Sequence, residues 1–370
     1  RVNYDYNGKY LIESSGRLDG SSRFMPGHRF GFFPSASAGW RLSEEQFFSG
    51  LKSVIPNVKL RVSYGALGNQ QVGYYDYIQT INPGQTLGYS FGDGQRVPAA
   101  SVSSPNASDL TWEVVATANL GLDFSLFKGK MEFSGDIYSR ETSGMLMPGK
   151  DLPATYGTGS PKMNAADLRT NGWEITLSWR DKFTLGSKPF NYNAKFILSD
   201  YTSTITKYDN PSKNLNNWYV GQRLGEIWGY VIDGYFASDE EAASYPVDQT
   251  SVNSIINSSA GSEKGLKAGD LKFVDLNEDK IISVARTLDD QGDQKVIGNS
   301  LPRYSYGLNL GADWNGIDFS VFLQGVGQQH WYPNRNAVGF WGPYSRPYTT
   351  FIGSDFLSKV WSEDNPNSYF

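Results

Sequence analysis

The sequence contains no cysteine and only two histidines, His28 and His330, among its 370 residues. The lack of cysteine excludes disulfides, thiolate metal sites and a cysteine nucleophile. The two histidines lie far apart in the chain, and no H-E-x-x-H, G-x-S-x-G or P-loop motif is present. We therefore do not expect an enzyme. The formal net charge of -5 gives no reason to expect a nucleic-acid partner either.

Long apolar runs are also absent. No window approaches the roughly 18 consecutive apolar residues that a transmembrane helix needs. Charged residues make up 19% of the chain, and the mean hydropathy is -0.45. This composition argues against helical membrane spans but is compatible with a membrane β-barrel, because the polar lumen and loops of a barrel dilute its lipid-facing residues.

The sequence does contain a long run of strict alternation between positions 112 and 126. Its even positions are all apolar: Trp112, Val114, Ala116, Ala118, Leu120, Leu122, Phe124 and Leu126. The odd positions are mostly polar or small, so the period of two predicts a β-strand with one apolar and one hydrated face. A strand of about 15 residues is much longer than the globular average. It is long enough to cross a bilayer, which takes roughly nine to eleven residues.

The same alternation recurs along the chain and predicts about nine strands, none with a charge on its apolar face. They cover 4–12, 36–42, 58–66, 112–126, 131–137, 173–179, 190–198, 304–314 and 317–323. In lipid an uncharged face is required, because Lys or Arg at the midplane of a barrel's outer face costs roughly 2–4 kcal/mol. We therefore predict an all-β fold, a transmembrane antiparallel β-barrel segment with long extracellular loops.

The connections between these strands alternate between two classes of length. The short ones are 128–130, 315–316, 181–189 and 43–57; the long ones are 16–29, 68–110, 142–169, 200–302 and the chain after about 326. In the segment 43–57 we predict a short helix with Ser43 as N-cap and Gln46 completing a capping box. A second short helix is expected between Ser238 and Pro246. Outer-membrane barrels place short turns in the periplasm and long loops outside, which predicts the orientation.

This orientation predicts a belt of aromatic side chains on the apolar face at the periplasmic end. Its members are Tyr4, Tyr6, Trp40, Phe124, Phe133, Trp179, Phe190, Tyr192, Trp314 and Phe319. Aromatic belts of this kind lie at the headgroup layer of a membrane. The alternative is the ordinary enrichment of aromatic residues in β-strands.

The chain also carries a series of short motifs. They are N-Y-D-Y at 3–6, R-L-D-G-S-S-R-F at 17–24, G-F-F-P-S-A-S-A-G-W-R at 31–41, L-R-V-S-Y-G-A-L-G-N-Q at 60–70, D-L-T-W-E at 109–113, G-E-I-W-G-Y at 225–230 and P-R-Y-S-Y-G at 302–307. In this order, and over nearly the whole chain, they resemble the mid-barrel region of SusC/RagA-type TonB-dependent transporters.

The resemblance implies a 22-stranded outer-membrane barrel of Gram-negative Bacteroidota. Such proteins have a plug domain and a TonB-contacting segment, and they import oligosaccharides or peptides under a SusD-like surface lipoprotein. Residues 1–370 would form part of one β-barrel domain, with 200–302 as an extracellular insertion. The plug, the TonB-contacting segment and the closing strands would lie outside this sequence, so we expect the chain to be a fragment.

Charged residues predicted to face the lumen would contact the plug or line the transport route: Arg61, Glu113, Glu132 and Arg140. Two other functions stay open. A passive porin or surface assembly scaffold would use the same barrel without a plug, and a secreted β-rich enzyme or adhesin would dissolve without detergent.

The loop from Asp275 to Ile281 has the oxygen pattern of the first half of a calcium site. The candidate Ca2+ ligands, three side chains and one backbone carbonyl, are Asp275, Asn277, Asp279 and Ile281. Lys280 occupies the turn position where glycine is preferred, and Arg286 stands at the twelfth position in place of glutamate. One of three nearby aspartates could fold back to complete the site: Asp289, Asp290 or Asp293. The alternative is a solvated turn rich in Asp and Asn.

Aromatic residues in the long loops are the candidate substrate contacts. They are Trp331, Trp341, Tyr344, Trp218 and Tyr219, of which Trp331 and Trp341 are preferred because they lie in the last loop, outside the family motifs. Aromatic rings stack on sugar rings or peptide side chains, and neighbouring amides supply hydrogen bonds. These rings would otherwise pack the loops or contact the lipoprotein lid.

Overall fold

The computed structural model describes residues 1–85, 90–92, 94–96, 99–103, 109–149, 153, 155, 157, 159–252, 265–333 and 352–368. The described chain forms two compact units. The first comprises Arg1–Asn210, Tyr219–Leu224 and Arg303–Gln328, and the second comprises Pro211–Trp218, Gly225–Pro302 and Gln329–Phe370. Within the described residues, no helix has the length and apolar character needed to span a membrane.

Strands dominate the described residues. They are β1 (Val2–Tyr6), β2 (Tyr10–Gly20), β3 (Phe30–Arg41), β4 (Asn57–Asn69), β5 (Ile81–Gln85), β6 (Ser90–Phe91), β7 (Gln95–Arg96), β8 (Ala99–Val102), β9 (Glu113–Leu126), β10 (Met131–Pro148), β11 (Lys162–Leu185), β12 (Lys188–Tyr208), β13 (Glu226–Tyr230), β14 (Ile232–Tyr235), β15 (Leu271–Phe273), β16 (Gln294–Asn299), β17 (Arg303–Trp314) and β18 (Ile317–Gln328). The helices are α1 (Asp239–Ser244), α2 (Phe356–Lys359) and the 3-10 helices Leu42–Glu44, Gln46–Phe48 and Phe127–Gly129.

The first unit is built on one antiparallel sheet of ten strands in the order β1-β2-β3-β4-β9-β10-β11-β12-β17-β18. Its longest strands, β11 and β12, have 24 and 21 residues. The register brings like positions together, since Leu120 lies opposite Val62 on one side and Ile137 on the other. The sheet therefore has an apolar face, which carries these residues and is exposed, and a polar face on its reverse. The predicted all-β fold is confirmed.

The first predicted strand, Tyr4–Ile12, is wrong, because the structure shows a hairpin there. Asn7 and Gly8 adopt φ angles of 54° and 64°, and the Lys9 N–H donates to the Tyr6 carbonyl at 3.0 Å. Asn-Gly is the sequence typical of a tight turn whose two central residues both need positive φ, and here the turn lies within the connection 7–9. The hairpin raises the number of strands in the sheet from the nine predicted to ten.

The apolar face is not free of charge at its two ends. Strand β11 continues past Arg180, where the prediction ended it, so that Asp181 lies on this face and pairs with Lys130 at 2.8 Å. Near the other end Asp200 lies opposite Trp173 on the same face, where it is buried and paired with Arg303. Glu141 and Arg169 lie opposite each other on this face as well and form a 2.5 Å ion pair. The prediction of an uncharged face is therefore wrong towards the strand ends, where each of these carboxylates is paired with a cation.

The connections lie alternately at two ends of the sheet, which we call the short-turn end and the long-loop end. The predicted alternation in length is wrong at one place, because the connection 42–56 at the short-turn end is longer than 21–29 and 149–161 at the other. The short-turn end has 7–9, 42–56, 127–130, 186–187 and 315–316, and the long-loop end has 21–29, 70–112, 149–161 and 209–302. The strands run further than their apolar residues predict. The expected connections 181–189 and 142–169 accordingly shrink to 186–187 and 149–161.

The predicted helix with Ser43 as N-cap and Gln46 in a capping box is wrong. Two 3-10 helices occupy this place, and Ser43 is a buried residue inside the first of them. Glu45 interrupts the helix because its backbone is extended, with φ -81° and ψ 149°. The second predicted helix is confirmed as α1, whose N-cap Ser238 accepts the Glu241 N–H at 3.2 Å.

The second unit contains small antiparallel ribbons rather than a large sheet. Strand β13 pairs with β16, and β14 pairs with β15. Glu241 of α1 forms a 2.7 Å ion pair with Lys272 of β15. This ion pair lowers the pKa of the Glu241 carboxyl and raises that of the Lys272 ammonium from their ordinary values.

Candidate functional site

A cluster of charged side chains spans three strands on the polar face. The Arg61 guanidinium of β4 donates to both oxygens of Asp123 at 2.7 and 2.9 Å, and to both oxygens of Asp136 at 3.0 and 2.9 Å. Asn119 and Ser134 complete the cluster, donating at 2.8 Å to Asp136 and at 2.7 Å to Asp123. Two bidentate carboxylates hold the arginine in one orientation. We call these five residues the Arg61 cluster.

Gly121 makes room for the Arg61 cluster. It lies on β9 directly opposite Arg61. A Cβ atom at this position would stand 2.5 Å from an Asp136 oxygen and 2.6 Å from the Arg61 Cζ. The guanidinium therefore reaches across β9 to β10 only because position 121 has no side chain.

The other predicted lumenal charges also lie on strands of this sheet. Glu113 accepts a hydrogen bond from the Asn69 amide at 3.2 Å. Glu132 forms a 2.8 Å ion pair with Arg180 across neighbouring strands. The Arg140 guanidinium lies over a tyrosine ring, 5.7 Å from its centroid. Sequence reasoning missed Asp123 and Asp136, because their pairing with Arg61 depends on the register of three strands.

Aromatic rings concentrate on the apolar face near the short-turn end. Tyr10 and Trp40 are stacked with centroids 6.4 Å apart, and Phe124 and Phe133 with centroids 4.7 Å apart. Further rings of the same end are those of Phe127, Trp179, Phe183, Phe190, Tyr192 and Trp314. Such a belt is typical of the headgroup layer of a membrane.

Glu45 ties the connection 42–56 to this aromatic belt. One of its oxygens accepts the Tyr10 hydroxyl at 2.7 Å and the Trp40 indole N–H at 3.2 Å, and the other accepts Lys9 at 3.3 Å. The Tyr10 hydroxyl is the main cause that holds the pKa of the Glu45 carboxyl below its ordinary value. The lowered pKa favours the ionised Glu45 carboxylate, which is the form that accepts these hydrogen bonds.

The long-loop end holds a small buried core. It consists of Phe24, Phe33, Val72, Leu110 and Trp112. The Trp112 ring lies 5.4 Å from both the Phe24 and the Phe33 ring, and its N–H donates to the Arg29 carbonyl at 3.0 Å. The alternation predicts Trp112 on the exposed apolar face, which is wrong because loop residues cover it. The core joins three of the sequence motifs, at 17–24, 31–41 and 109–113.

The candidate substrate contacts differ in exposure. Trp331 is 70% exposed, whereas Tyr219 is only 7% exposed and Trp218 is half-buried. Trp341 and Tyr344 lie outside the described residues. Of these candidates, Trp331 is therefore largely exposed and Tyr219 is buried.

The candidate calcium loop, Asp275–Ile281, is a series of tight turns. The Asp275 carboxylate accepts the backbone N–H groups of Glu278 at 2.7 Å and Lys280 at 2.8 Å. Asn277 likewise accepts the Asp279 N–H at 3.1 Å. Lys280 adopts a φ of 67°, the conformation for which glycine is preferred at this position.

Buried Asp293 supports this loop from behind. It accepts the backbone N–H groups of Leu276 and Ser283, both at 2.7 Å. In the part of the chain that the structure describes, no group of three His, Asp or Glu residues is arranged to hold a metal ion. Calcium binding at Asp275, Asn277, Asp279 and Ile281 stays a prediction.

A sheet of long antiparallel strands with an exposed apolar face, an aromatic belt and ion pairs on its reverse defines a membrane β-barrel segment. The family model "TonB dependent receptor-like, beta-barrel" matches residues 1–356, and the chain belongs to this family. The resemblance to SusC/RagA-type transporters inferred from the sequence motifs is thereby confirmed.

Two curated relatives have similar sequences. The TonB-dependent receptor P39 of Formosa agariphila is 32% identical over 345 residues, which cover 87% of this chain and 32% of that protein. The TonB-dependent receptor SusC of Bacteroides thetaiotaomicron is 32% identical over 212 residues, 56% of this chain and 20% of SusC. The chain spans about a third of the length of the relatives that it matches over most of its own length.

Solved structures show the same fold. The RagAB peptide importer in its "open-open" state matches with a TM-score of 0.69 at 20% identity, covering 99% of this chain and 36% of that chain. Its "closed-closed" state matches with a TM-score of 0.68 at 19% identity and the same coverage.

Proposed function

We propose that the chain is part of the barrel of a TonB-dependent active importer of oligosaccharides or peptides in the outer membrane of a Gram-negative bacterium. The observation that carries this proposal is the two-sided sheet of a TonB-dependent receptor barrel. Its apolar face suits lipid, and its reverse carries the Arg61 cluster and further paired charges. In a barrel this polar face lines the lumen, where a plug and a polar substrate need hydrogen-bonding surfaces.

The proposal assigns partners to the two ends of the sheet. A SusD-like lipoprotein would close over the long-loop end, as the similarity to SusC suggests, and TonB would act through a segment outside this chain. The exposed ring of Trp331, together with Trp341 and Tyr344, would contact the substrate. Calcium bound at Asp275–Ile281 would fix the shape of that loop.

Deletion of TonB tests this function. We expect the deletion to abolish uptake of a fluorescent oligosaccharide or peptide library while binding of the same probe to the cell surface survives. Energy coupling is needed only for passage through the plugged lumen, so binding and uptake should separate. Re-expression of TonB is the control and should restore uptake. Uptake that continues without TonB would contradict the proposal and indicate a passive porin.

A further inference from the structure

The connection 42–56 at the short-turn end exposes three large apolar side chains. Phe47 is 70% exposed, Leu51 53% and Val54 56%. Phe47 lies in the second 3-10 helix, and Leu51 and Val54 lie in the turns that follow it. In these turns the Leu51 N–H donates to the Phe48 carbonyl at 2.9 Å and the Val54 N–H to the Leu51 carbonyl at 3.0 Å. We call these three exposed side chains the apolar patch.

The start of this connection is fixed to the apolar face of the sheet. Glu45, two residues before Phe47, bonds to the side chains of Tyr10 and Trp40. Both of these rings belong to the apolar face, where Tyr10 lies opposite Trp40. The segment that carries the patch therefore starts at the apolar face of the sheet.

Charged groups of the connection are paired with one another. Glu44 forms ion pairs with Arg41 at 3.2 Å and with Lys52 at 2.8 Å, and Glu45 forms one with Lys9 at 3.3 Å. Both glutamates are thus neutralised close to the patch. Removal of Phe, Leu and Val side chains from water is favourable, so three of them exposed on one short segment favour an apolar environment.

We propose that the connection 42–56 is an interfacial membrane anchor. It inserts Phe47, Leu51 and Val54 into the boundary between headgroups and acyl chains of the adjoining phospholipid leaflet. Segments with one apolar side and one charged side bind at this depth. The inference rests on the proposed function, which places the apolar face of the sheet in the outer membrane. Lipid is favoured over a protein partner because Glu45, at the start of the segment, bonds to Tyr10 and Trp40 of the lipid-facing aromatic belt.

Single cysteines test the anchor, since this chain has none of its own. Phe47, Leu51 and Val54 are each replaced by cysteine in a cysteine-free background of the full-length protein. An environment-sensitive fluorophore is attached, and the protein is reconstituted in phosphatidylethanolamine–phosphatidylglycerol vesicles. The matched controls are Ser49→Cys and Ser53→Cys on the same connection. Nitroxide-labelled lipid quenches labels in the membrane, and iodide quenches labels in water.

We expect lipid nitroxide to quench the labels at 47, 51 and 54 at least about twofold more than those at 49 and 53. Iodide should show the reverse order. Iodide quenching of all five labels would overturn the anchor and indicate a docking site for a periplasmic protein. Lipid quenching of all five would overturn it too, because the connection would then have no water-facing side.

A sixth label, at Val62→Cys on the apolar face of β4, separates this inference from the proposed function. Val62 is exposed on the face that is proposed to contact lipid. Lipid quenching at 62 without quenching at 47, 51 and 54 would refute the anchor alone. The absence of lipid quenching at 62 would refute the membrane location itself.

Discussion

The Arg61 cluster shows how one polar side chain depends on a residue without a side chain. The position of Arg61 on the polar face is predictable from the sequence, because Arg61 alternates with apolar neighbours. Its partners are not predictable, because Asp123 and Asp136 are 62 and 75 residues away along the chain. Gly121 leaves the space in which these side chains meet. This role can be recognised only when β4, β9 and β10 are placed in register.

Gly121→Ala should break the contact between Arg61 and Asp136. The new methyl group would stand within 2.6 Å of both partners, so the guanidinium must leave β10. We expect a loss of about 1–3 kcal/mol in the free energy of unfolding, measured by urea denaturation of the full-length protein in vesicles. Gly65→Ala on β4 is the matched control, since a Cβ there meets only Ser35 at an ordinary 3.4 Å. Equal losses for the two variants would contradict the role of Gly121.

The candidate substrate contacts were less predictable than the lumenal charges. Strand residues alternate, so their face follows from their position, but the long loops have no such period. Trp331 and Tyr219 have the same chemical rationale in the sequence, yet one is exposed and the other is packed. Only tertiary structure distinguishes an exposed ring from a buried one.

The strands of the sheet were found from the sequence, but their ends were not. The apolar period marks the part of a strand that contacts lipid, and it fades where both faces of the strand meet water. For this reason β11 continues through Asp181, and β10 continues to Pro148. The opposite error occurred at Tyr4–Ile12, where the period of two continues across the Asn7-Gly8 turn and hides a hairpin. Trp112 fits the period as well but is covered by loops.

Phe33 and Phe32 are adjacent on β3 and should respond differently to truncation. Phe33 is 4% exposed in the core of the long-loop end, whereas Phe32 is 65% exposed on the apolar face. Phe33→Ala leaves a cavity and should lower the stability of this core by about 3 kcal/mol. The connection 70–112 should then detach from the core more often. We expect roughly hundredfold faster cleavage of that connection by external protease in vesicles. Phe32→Ala is the control and should leave the cleavage rate unchanged, because lipid replaces the lost ring.

Across the whole sheet, alternate residues of each strand face two different environments. Aromatic content of 15% and charged content of 19% suit neither a transmembrane helix bundle nor a mostly buried core. They suit a sheet with lipid on one face and water or plug on the other. The placing of successive connections at opposite ends of the sheet follows from the same arrangement, because each antiparallel strand crosses the membrane once.

Lysine substitutions at Val62 and Ser63 test this separation with the same new residue on opposite faces of β4. Both positions lie near the middle of the strand, and Val62 pairs with Ala38 and Leu120 on the apolar face. Val62→Lys should cost roughly 2–4 kcal/mol of folding free energy in vesicles, because the ammonium enters hydrocarbon. Ser63→Lys should cost less than about 1 kcal/mol, because a lumenal lysine stays hydrated. The measurement is urea-dependent folding of the full-length protein into phospholipid vesicles. Equal costs for the two lysines would mean that the sheet does not separate lipid from water.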